Sequence, residues 1–348
     1  MRWAGRKLAG NVAEVSVIEP ARAAEASGNV AATALWYVGP RECALNDLDL
    51  PQREVSDCLV RTTWSGVSRG TERLVFEGRV PVAEHERMRA PFQEGAFPFP
   101  VKYGYCAVGT VEEGPSALVG ETVFCLYPHQ DRFVVPASRV ALVPKAVPAR
   151  RAVLAANMET ALNAHWDAGS GPADRIVVVG GGVLGLLTAF IAARLPGAEV
   201  TLVDVDPARA ALAQALGLGF ALPPDCPGEA DLVFHASASA AGLVTAIGAA
   251  GFEARIVELS WYGEGTVAVP LGGAFHSKRL QLVSSQVGQV SPSRRPRFDY
   301  ARRTQAALSL LADKRLDALI TDEIGFKDAP ACLPALFAGH GITAVLRY

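Results

Sequence analysis

The run RIVVVGGGVLGLLTAF at 175–190 sets Gly180, Gly182 and Gly185 in a G-x-G-x-x-G spacing. An apolar, β-forming stretch precedes it, and a segment in which Leu184, Leu187 and Ile191 recur at helical spacing follows. In that context each glycine has its own task. The first permits a tight turn, the second lets backbone approach a pyrophosphate, and the third lets the helix pack on the strand. The helix opening at Val183 and Leu184 turns free N–H groups and a positive dipole end toward phosphates. Asp204 closes the next β-like run, nineteen residues past Gly185. A carboxylate there accepts hydrogen bonds from adenosine ribose hydroxyls and repels a 2′-phosphate. These residues are expected to hold a nicotinamide dinucleotide, NAD(H) in preference to NADP(H). Arg209 is near enough to soften that preference unless it is a solvated helix residue. A turn serving only close packing is the alternative.

The elements that must position such a turn are legible around it. From 149 to 290 strands such as RIVVV, VTLVDV, DLVFHAS and ARIVELS alternate with helical segments, which requires crossover connections and a parallel sheet covered on both faces. From 31 to 148 short β-like runs broken by Pro and Gly describe a compact β-rich unit. Residues 291–348 add two helices and a terminal run, ITAVLRY. The block at 80–100 is a Pro-containing insertion without periodicity, suited to a lid or substrate wall or to a plain surface excursion.

Composition narrows the function classes. The chain has 348 residues, half of them hydrophobic, enough for two cores. Its formal charge of -2 gives no general attraction to nucleic acid or anionic membrane, so a small-molecule partner is expected. Six scattered cysteines without a C-x-x-C pair suit a reducing, cytoplasmic setting rather than a disulfide framework or zinc knuckle. No apolar stretch reaches the roughly 18 residues of a membrane helix. Residues 1–30 lack a signal-peptide centre and read as a disordered extension or an upstream start.

Three further segments carry a resemblance: SGVSRGTER at 65–73, VKYGYCAVGTVEEG at 101–114 and AVLAANMETALNAHWDAG at 152–169. In that order, with the glycine turn, residues 31–348 resemble the medium-chain dehydrogenase/reductase family. The resemblance implies an α/β fold, a Rossmann doubly wound parallel sheet plus a GroES-like β-rich catalytic domain. It assigns 31–148 and 291–348 to the GroES-like domain and 149–290 to the dinucleotide-binding domain. It also implies a homodimer formed through the cofactor domain.

Many members of that family hold a catalytic zinc. At the matching positions this chain has Ser68 or Arg69, then Tyr105 followed by Cys106, then Ala156. Tetrahedral zinc sites are built from Cys, His and carboxylate, so no zinc is expected. The four-cysteine lobe of zinc-bearing members is also missing, with only Cys125 in that stretch. The chain is therefore similar to the zinc-independent branch, alongside quinone and enoyl reductases, and more faintly to bacteriochlorophyllide hydroxyethyl dehydrogenases.

Without a metal, the charge that develops on a substrate oxygen during hydride transfer must be met by fixed donors, each worth on the order of 3 kcal/mol. By resemblance Tyr105 stands where the zinc histidine would be, and Thr71 matches a hydroxyl that relays the alcohol proton. Tyr105 is alternatively a core ring, and Thr71 a helix cap. His129, at a strand entry, is a proton shuttle or a packing residue. Cys106 reads as a buried thiol. By resemblance Thr160, Ser260 and Gln286 fall where the family approaches the nicotinamide half, or are ordinary packing residues, and His235 closes a strand beside the adenosine or is merely a strand-end residue. The cluster SRRPRFDYARR at 293–303 is an acid-binding patch or a solvated flank. The expected function is NAD(H)-dependent oxidoreduction between an alcohol and a carbonyl. Enoyl or quinone C=C reduction and non-catalytic dinucleotide binding are the alternatives.

Overall fold

The computed structural model describes residues 31–348, so the expectation for 1–30 lies outside the described residues. A six-stranded sheet runs in the order Gly219–Ala221, Glu199–Val203, Arg175–Val179, Ala230–His235, Ala250–Glu258, Gln281–Ser284. All of its pairings are parallel. In chain order this is 3-2-1-4-5-6, the doubly wound arrangement. Ile176, Val177, Val178 and Val179 are all buried, as a strand covered by helices on both faces must be. The chain reverses direction across the sheet beside Arg175–Val179, and that strand ends at the glycine turn. Ligands of open α/β sheets settle in the crevice this reversal opens.

The β-rich part is built from antiparallel strands around Asp57–Val67, which pairs with Ala107–Glu113, Arg132–Pro136 and Thr343–Arg347. Thr122–Cys125 and Val140–Leu142 extend this sheet on one side and Ile320–Gly325 on the other. A second sheet joins the hairpin Ala31–Gly39 and Glu42–Asp49 to Val101–Lys102 and Glu94–Gly95. The C-terminal strand thus crosses back to the sheet built from residues 57–142. The fold class expected from the sequence is the one found.

One hydrophobic cluster links the two halves. It holds Val108, Phe124 and Met158 together with Leu186, Phe190, Leu202 and Phe234, and it takes in Ala307, Leu308 and Leu311 from the helix Tyr300–Leu310 and its end. That helix packs on Ala155–Ala168. Arg303 is buried there and forms an ion pair with buried Glu159 at 2.8 Å. Its other donors reach Asn163 Oδ1 and the carbonyls of Gln289 and Val287. The arginine-rich segment is therefore not uniformly solvated. Arg303 clamps the chain that leaves the parallel sheet, and Arg295 donates to the Val290 carbonyl. Arg302 lies over Phe298.

The 80–100 insertion is partly folded inward. Phe97 is buried with Tyr37, Phe76 and Tyr103, and Met88, Ala90 and Phe99 pack against this cluster. All six cysteines are free thiols. Among the described residues no helix is long and apolar enough to cross a membrane.

Candidate active site

The glycine turn has the geometry its spacing predicts. Gly180 sits at φ +111°, where an added Cβ would lie 2.7 Å from the backbone of Ala236 and Ser237. A Cβ on Gly185 would fall 1.8 Å from the Gly180 carbonyl oxygen, so only glycine lets the helix Val183–Ala192 close on the strand. At Gly182 the direction of a Cβ is open space. Two of the glycines thus serve packing, and the middle one faces the room a pyrophosphate needs. Gly182 is also the N-cap of the helix, with no side-chain cap bond, so its first turn presents N–H groups.

Asp204 lies against this turn. One carboxylate oxygen accepts from the Gly181 N–H at 2.5 Å and the other from the Asp206 N–H at 2.8 Å. The same group expected to hold the ribose therefore also fastens the turn. Arg209 packs beside it: its Cγ would be 3.1 Å from a Cβ on Gly181, and its guanidinium donates to the His340 carbonyl at 2.7 Å. Arg69 donates to the neighbouring Gly339 carbonyl. Burial lowers the Arg69 pKa, with Asp322 acting against that and Arg209 adding to it. Two arginines from distant segments thus meet at the loop 339–341, beside the glycine turn.

The catalytic candidates gather on the β-rich side. The helix Thr71–Phe76 has Gly70 as N-cap and no side-chain cap bond. Thr71 is therefore not a cap, and its side chain, like that of Ser68, lies near enough to the Tyr105 phenol to favour its ionised form slightly. Burial, followed by Cys106 and Glu72, pushes the Tyr105 phenol well above its usual range, so it remains a protonated donor at neutral pH. Its ring is half-buried and packs against both main clusters.

His129 is fully buried, one member of a chain of polar groups behind that pair. Its Nε2 donates to Glu72 Oε2 at 2.8 Å and its Nδ1 meets Ser65 Oγ at 2.7 Å. Ser65 Oγ meets Tyr348 Oη at 2.9 Å. Glu72 is itself fully buried and accepts from Tyr37 Oη at 2.9 Å and from the Ser68 N–H at 2.8 Å. The last contact carries a first-turn carboxylate back over the helix start to the N–H two residues before the N-cap Gly70. Tyr105 and Thr71 thus lie close together, and His129 is bonded to Glu72, the residue after Thr71.

Glu72, Ser65, Tyr37 and Tyr348 were not singled out from the sequence. One signal was present: Glu72, Val75 and Phe76 share the buried face of their helix, a carboxylate on an apolar stripe.

The remaining candidates are dispersed. The Thr160 hydroxyl turns back to the Ala156 carbonyl at 2.9 Å, and Gln286 Oε1 accepts from the Gly288 N–H at 2.6 Å. Ser260 stands at the sheet edge, where its Oγ accepts from the Ala238 N–H at 3.0 Å. Its neighbour Trp261 packs on the aromatic cluster of the β-rich half, so the chain after strand Ala250–Glu258 crosses the cleft. Cys106 is buried, and burial with Glu72 raises its thiol pKa. Among the described residues no three His, Cys, Asp or Glu side chains converge in a group that could hold a metal ion.

No family model matches the chain. Over 177 residues it is 31% identical to the 2-desacetyl-2-hydroxyethyl bacteriochlorophyllide A dehydrogenase of Cereibacter sphaeroides, a match covering 45% of this chain and 51% of that protein. The chain thus spans about half the length of the curated relative it matches. Among solved structures, a protein described as a zinc-binding dehydrogenase of Sinorhizobium meliloti 1021, bound to NADP, superposes with a TM-score of 0.74 at 16% identity, covering 92% of this chain and 100% of the other. A structure named as a short chain alcohol dehydrogenase of Escherichia coli CFT073, complexed with NADH, gives 0.73 at 17% identity over 91% of this chain and 99% of the other. What these structures share with this chain is the fold, a Rossmann sheet beside a GroES-like β unit, as in medium-chain dehydrogenases.

Proposed function

We propose that the chain is a nicotinamide-dependent oxidoreductase that interconverts an alcohol and a carbonyl, prefers NAD(H), and works without a catalytic zinc. The observation that carries this reading is the glycine turn: Gly182 faces open space at a helix N-terminus while Asp204 holds its carboxylate beside it. These residues fit a dinucleotide, with pyrophosphate against the Gly182–Gly185 amides and ribose against Asp204. Arg69 and Arg209 supply positive charge to the same cleft. The bound nicotinamide would supply the hydride-transfer chemistry.

The chain's own residues would do the rest. Tyr105, kept protonated by burial, donates to the substrate oxygen, and Thr71 takes or returns the hydroxyl proton. Glu72 and His129 keep Ser68 and the Thr71 turn in register from behind. Trp261 closes the cleft on the substrate side. The side chains at the family's metal positions, Ser68 or Arg69, Tyr105 with Cys106, and Ala156, support the zinc-free reading because they offer one thiol and no imidazole or carboxylate. The hydroxyethyl group in the relative's name favours alcohol oxidation over C=C reduction. A homodimer through the cofactor domain belongs to the same reading.

Calorimetry with NADH and NADPH, followed by turnover of secondary alcohols against conjugated enones, tests it. Tyr105→Phe and Thr71→Ala should each lower turnover about 10²-fold or more while NADH affinity stays unchanged. Uptake of neither nucleotide would refute the reading. Uptake without turnover of either substrate class would leave only dinucleotide binding.

A further inference from the structure

A second constellation of reactive groups lies at the C-terminal edge of the parallel sheet, next to the glycine turn. His235 and Glu258 are the last residues of adjacent parallel strands and are paired in register. Their side chains therefore emerge next to each other, with His235 Nδ1 donating to Glu258 Oε2 at 2.7 Å. On the other side of the ring, His235 Nε2 meets Ser237 Oγ at 2.6 Å. The imidazole is fully buried, whereas Ser237 is half-buried. Hydroxyl, imidazole and carboxylate thus stand in line, in the order that activates a serine: base within hydrogen-bond reach of the nucleophile, and a third group fixing the base.

The surroundings complete this arrangement. The second oxygen of Glu258 accepts from the Ser260 N–H at 2.8 Å, and Tyr262 Oη donates to the first at 3.2 Å. Burial alone would raise the Glu258 pKa, but hydrogen bonds from His235 and Ser260 hold it below the usual carboxylate range. An ionised Glu258 fixes the Nδ1–H tautomer and leaves Nε2 to accept the Ser237 proton. Ser239 Oγ lies 3.0 Å from Ser237 Oγ and caps the helix Ala240–Ala249 by accepting from the Gly242 N–H. The helix dipole thereby favours negative charge at Ser237. Room for the pair depends on Gly242, where a Cβ would lie 2.0 Å from Ser237 Oγ and 2.9 Å from His235 Nε2.

We propose that Ser237 is a nucleophilic hydroxyl, with His235 as its base and Glu258 as the positioning carboxylate, that accepts the acyl group of small activated esters. As Ser237 Oγ bonds to the ester carbonyl carbon, its proton passes to His235 Nε2 and the carbonyl electron pair moves onto oxygen. Collapse breaks the carbon–oxygen bond to the leaving group, which takes the proton from His235. Water, deprotonated by His235, then cleaves the acyl-serine, releases the carboxylic acid and restores the hydroxyl. No redox step or cofactor enters, so labelling of dinucleotide-free protein tests Ser237 apart from the oxidoreductase reading.

The test is covalent labelling of the intact chain with diisopropyl fluorophosphate, in which the Ser237 oxygen–phosphorus bond forms, the phosphorus–fluorine bond breaks, and fluoride and a proton leave. One adduct per chain, mapped to the Ser237 peptide, is expected, together with p-nitrophenyl acetate hydrolysis that Ser237→Ala abolishes. His235→Gln should slow labelling by about 10²-fold. Glu258→Gln should displace the pH profile of labelling, and Glu258→Asp should restore part of the rate, which a merely structural carboxylate would not do. Folded wild-type protein, verified by circular dichroism, that gains no adduct or is labelled elsewhere would overturn the proposal, whatever the variants do.

Discussion

The glycine turn and the Glu72 cluster hold the two halves of the candidate site by opposite means. The turn is local: residues 180–185 are consecutive, and they rest on the chain just past two neighbouring strands, at Val203, Asp204, Ala236 and Ser237, and on Arg209. Its constraint is steric, since two positions have no room for a Cβ. The cluster is assembled from residues 37, 65, 72, 129 and 348, and its constraint is polar satisfaction. A buried carboxylate surrounded by three donors tolerates no missing partner, because each group left unpaired bears its full desolvation cost. One region is therefore sensitive to added volume, and the other to lost hydrogen bonds.

That contrast breaks or sharpens under substitution. The largest effect is expected for Glu72→Ala, which strands His129, Tyr37 and the Ser68 N–H in the interior. A loss of about 3–5 kcal/mol in urea unfolding is expected, and a loss under about 1 kcal/mol would mean that water replaces the carboxylate. Acid provides the next test, through a second buried imidazole. His165 lies beneath the parallel sheet with Nε2 on the Thr188 carbonyl at 2.9 Å and no carboxylate partner, and burial lowers its pKa from 6.5 to about 4. Between those values the unfolded chain binds the extra proton. Stability should therefore fall by about 3 kcal/mol as pH drops from 6.5 to about 4 and gain no further loss from this group below that. His165→Gln should flatten that part of the stability curve if the histidine is its source.

Smaller effects separate packing from binding inside the glycine turn. Gly185→Ala must displace the helix from the Gly180 carbonyl, costing about 1–3 kcal/mol. Gly182→Ala meets open space, so stability should change by less than about 0.5 kcal/mol. Its NADH affinity should nevertheless fall about tenfold, roughly 1.4 kcal/mol; equal losses of stability in the two variants would erase the distinction between them. The mildest expected change is Asp204→Asn, which keeps an acceptor for the Gly181 amide. Its measured ratio of NADPH to NADH affinity should rise several-fold through lost charge repulsion, and an unchanged ratio would place cofactor choice elsewhere.

Legibility in the sequence follows the same division. The strand–helix alternation and the glycine turn are readable because they depend on short periodic runs and on residues with single conformational roles. The sequence offers Thr71 and Tyr105 as separate candidates, and nothing in their spacing says that they lie close together. By sequence His129 is a lone histidine at a strand entry, and only the fold brings it to Glu72, a carboxylate on the buried face of its helix. Arg303 is one of five arginines close along the chain, and only its burial against Glu159 separates it from them.

The sequence by itself determined the alternation of strand and helix, the turn that glycine alone permits, and the carboxylate at the end of the second strand. Those features rest on backbone sterics and side-chain periodicity acting within a few residues. Only the tertiary structure decided which polar side chains share a buried carboxylate, that Ser237, His235 and Glu258 stand in line, and that Arg69 and Arg209 meet at one loop. Each of those contacts joins separate segments, and in the interior a polar group's role depends on which partners satisfy it.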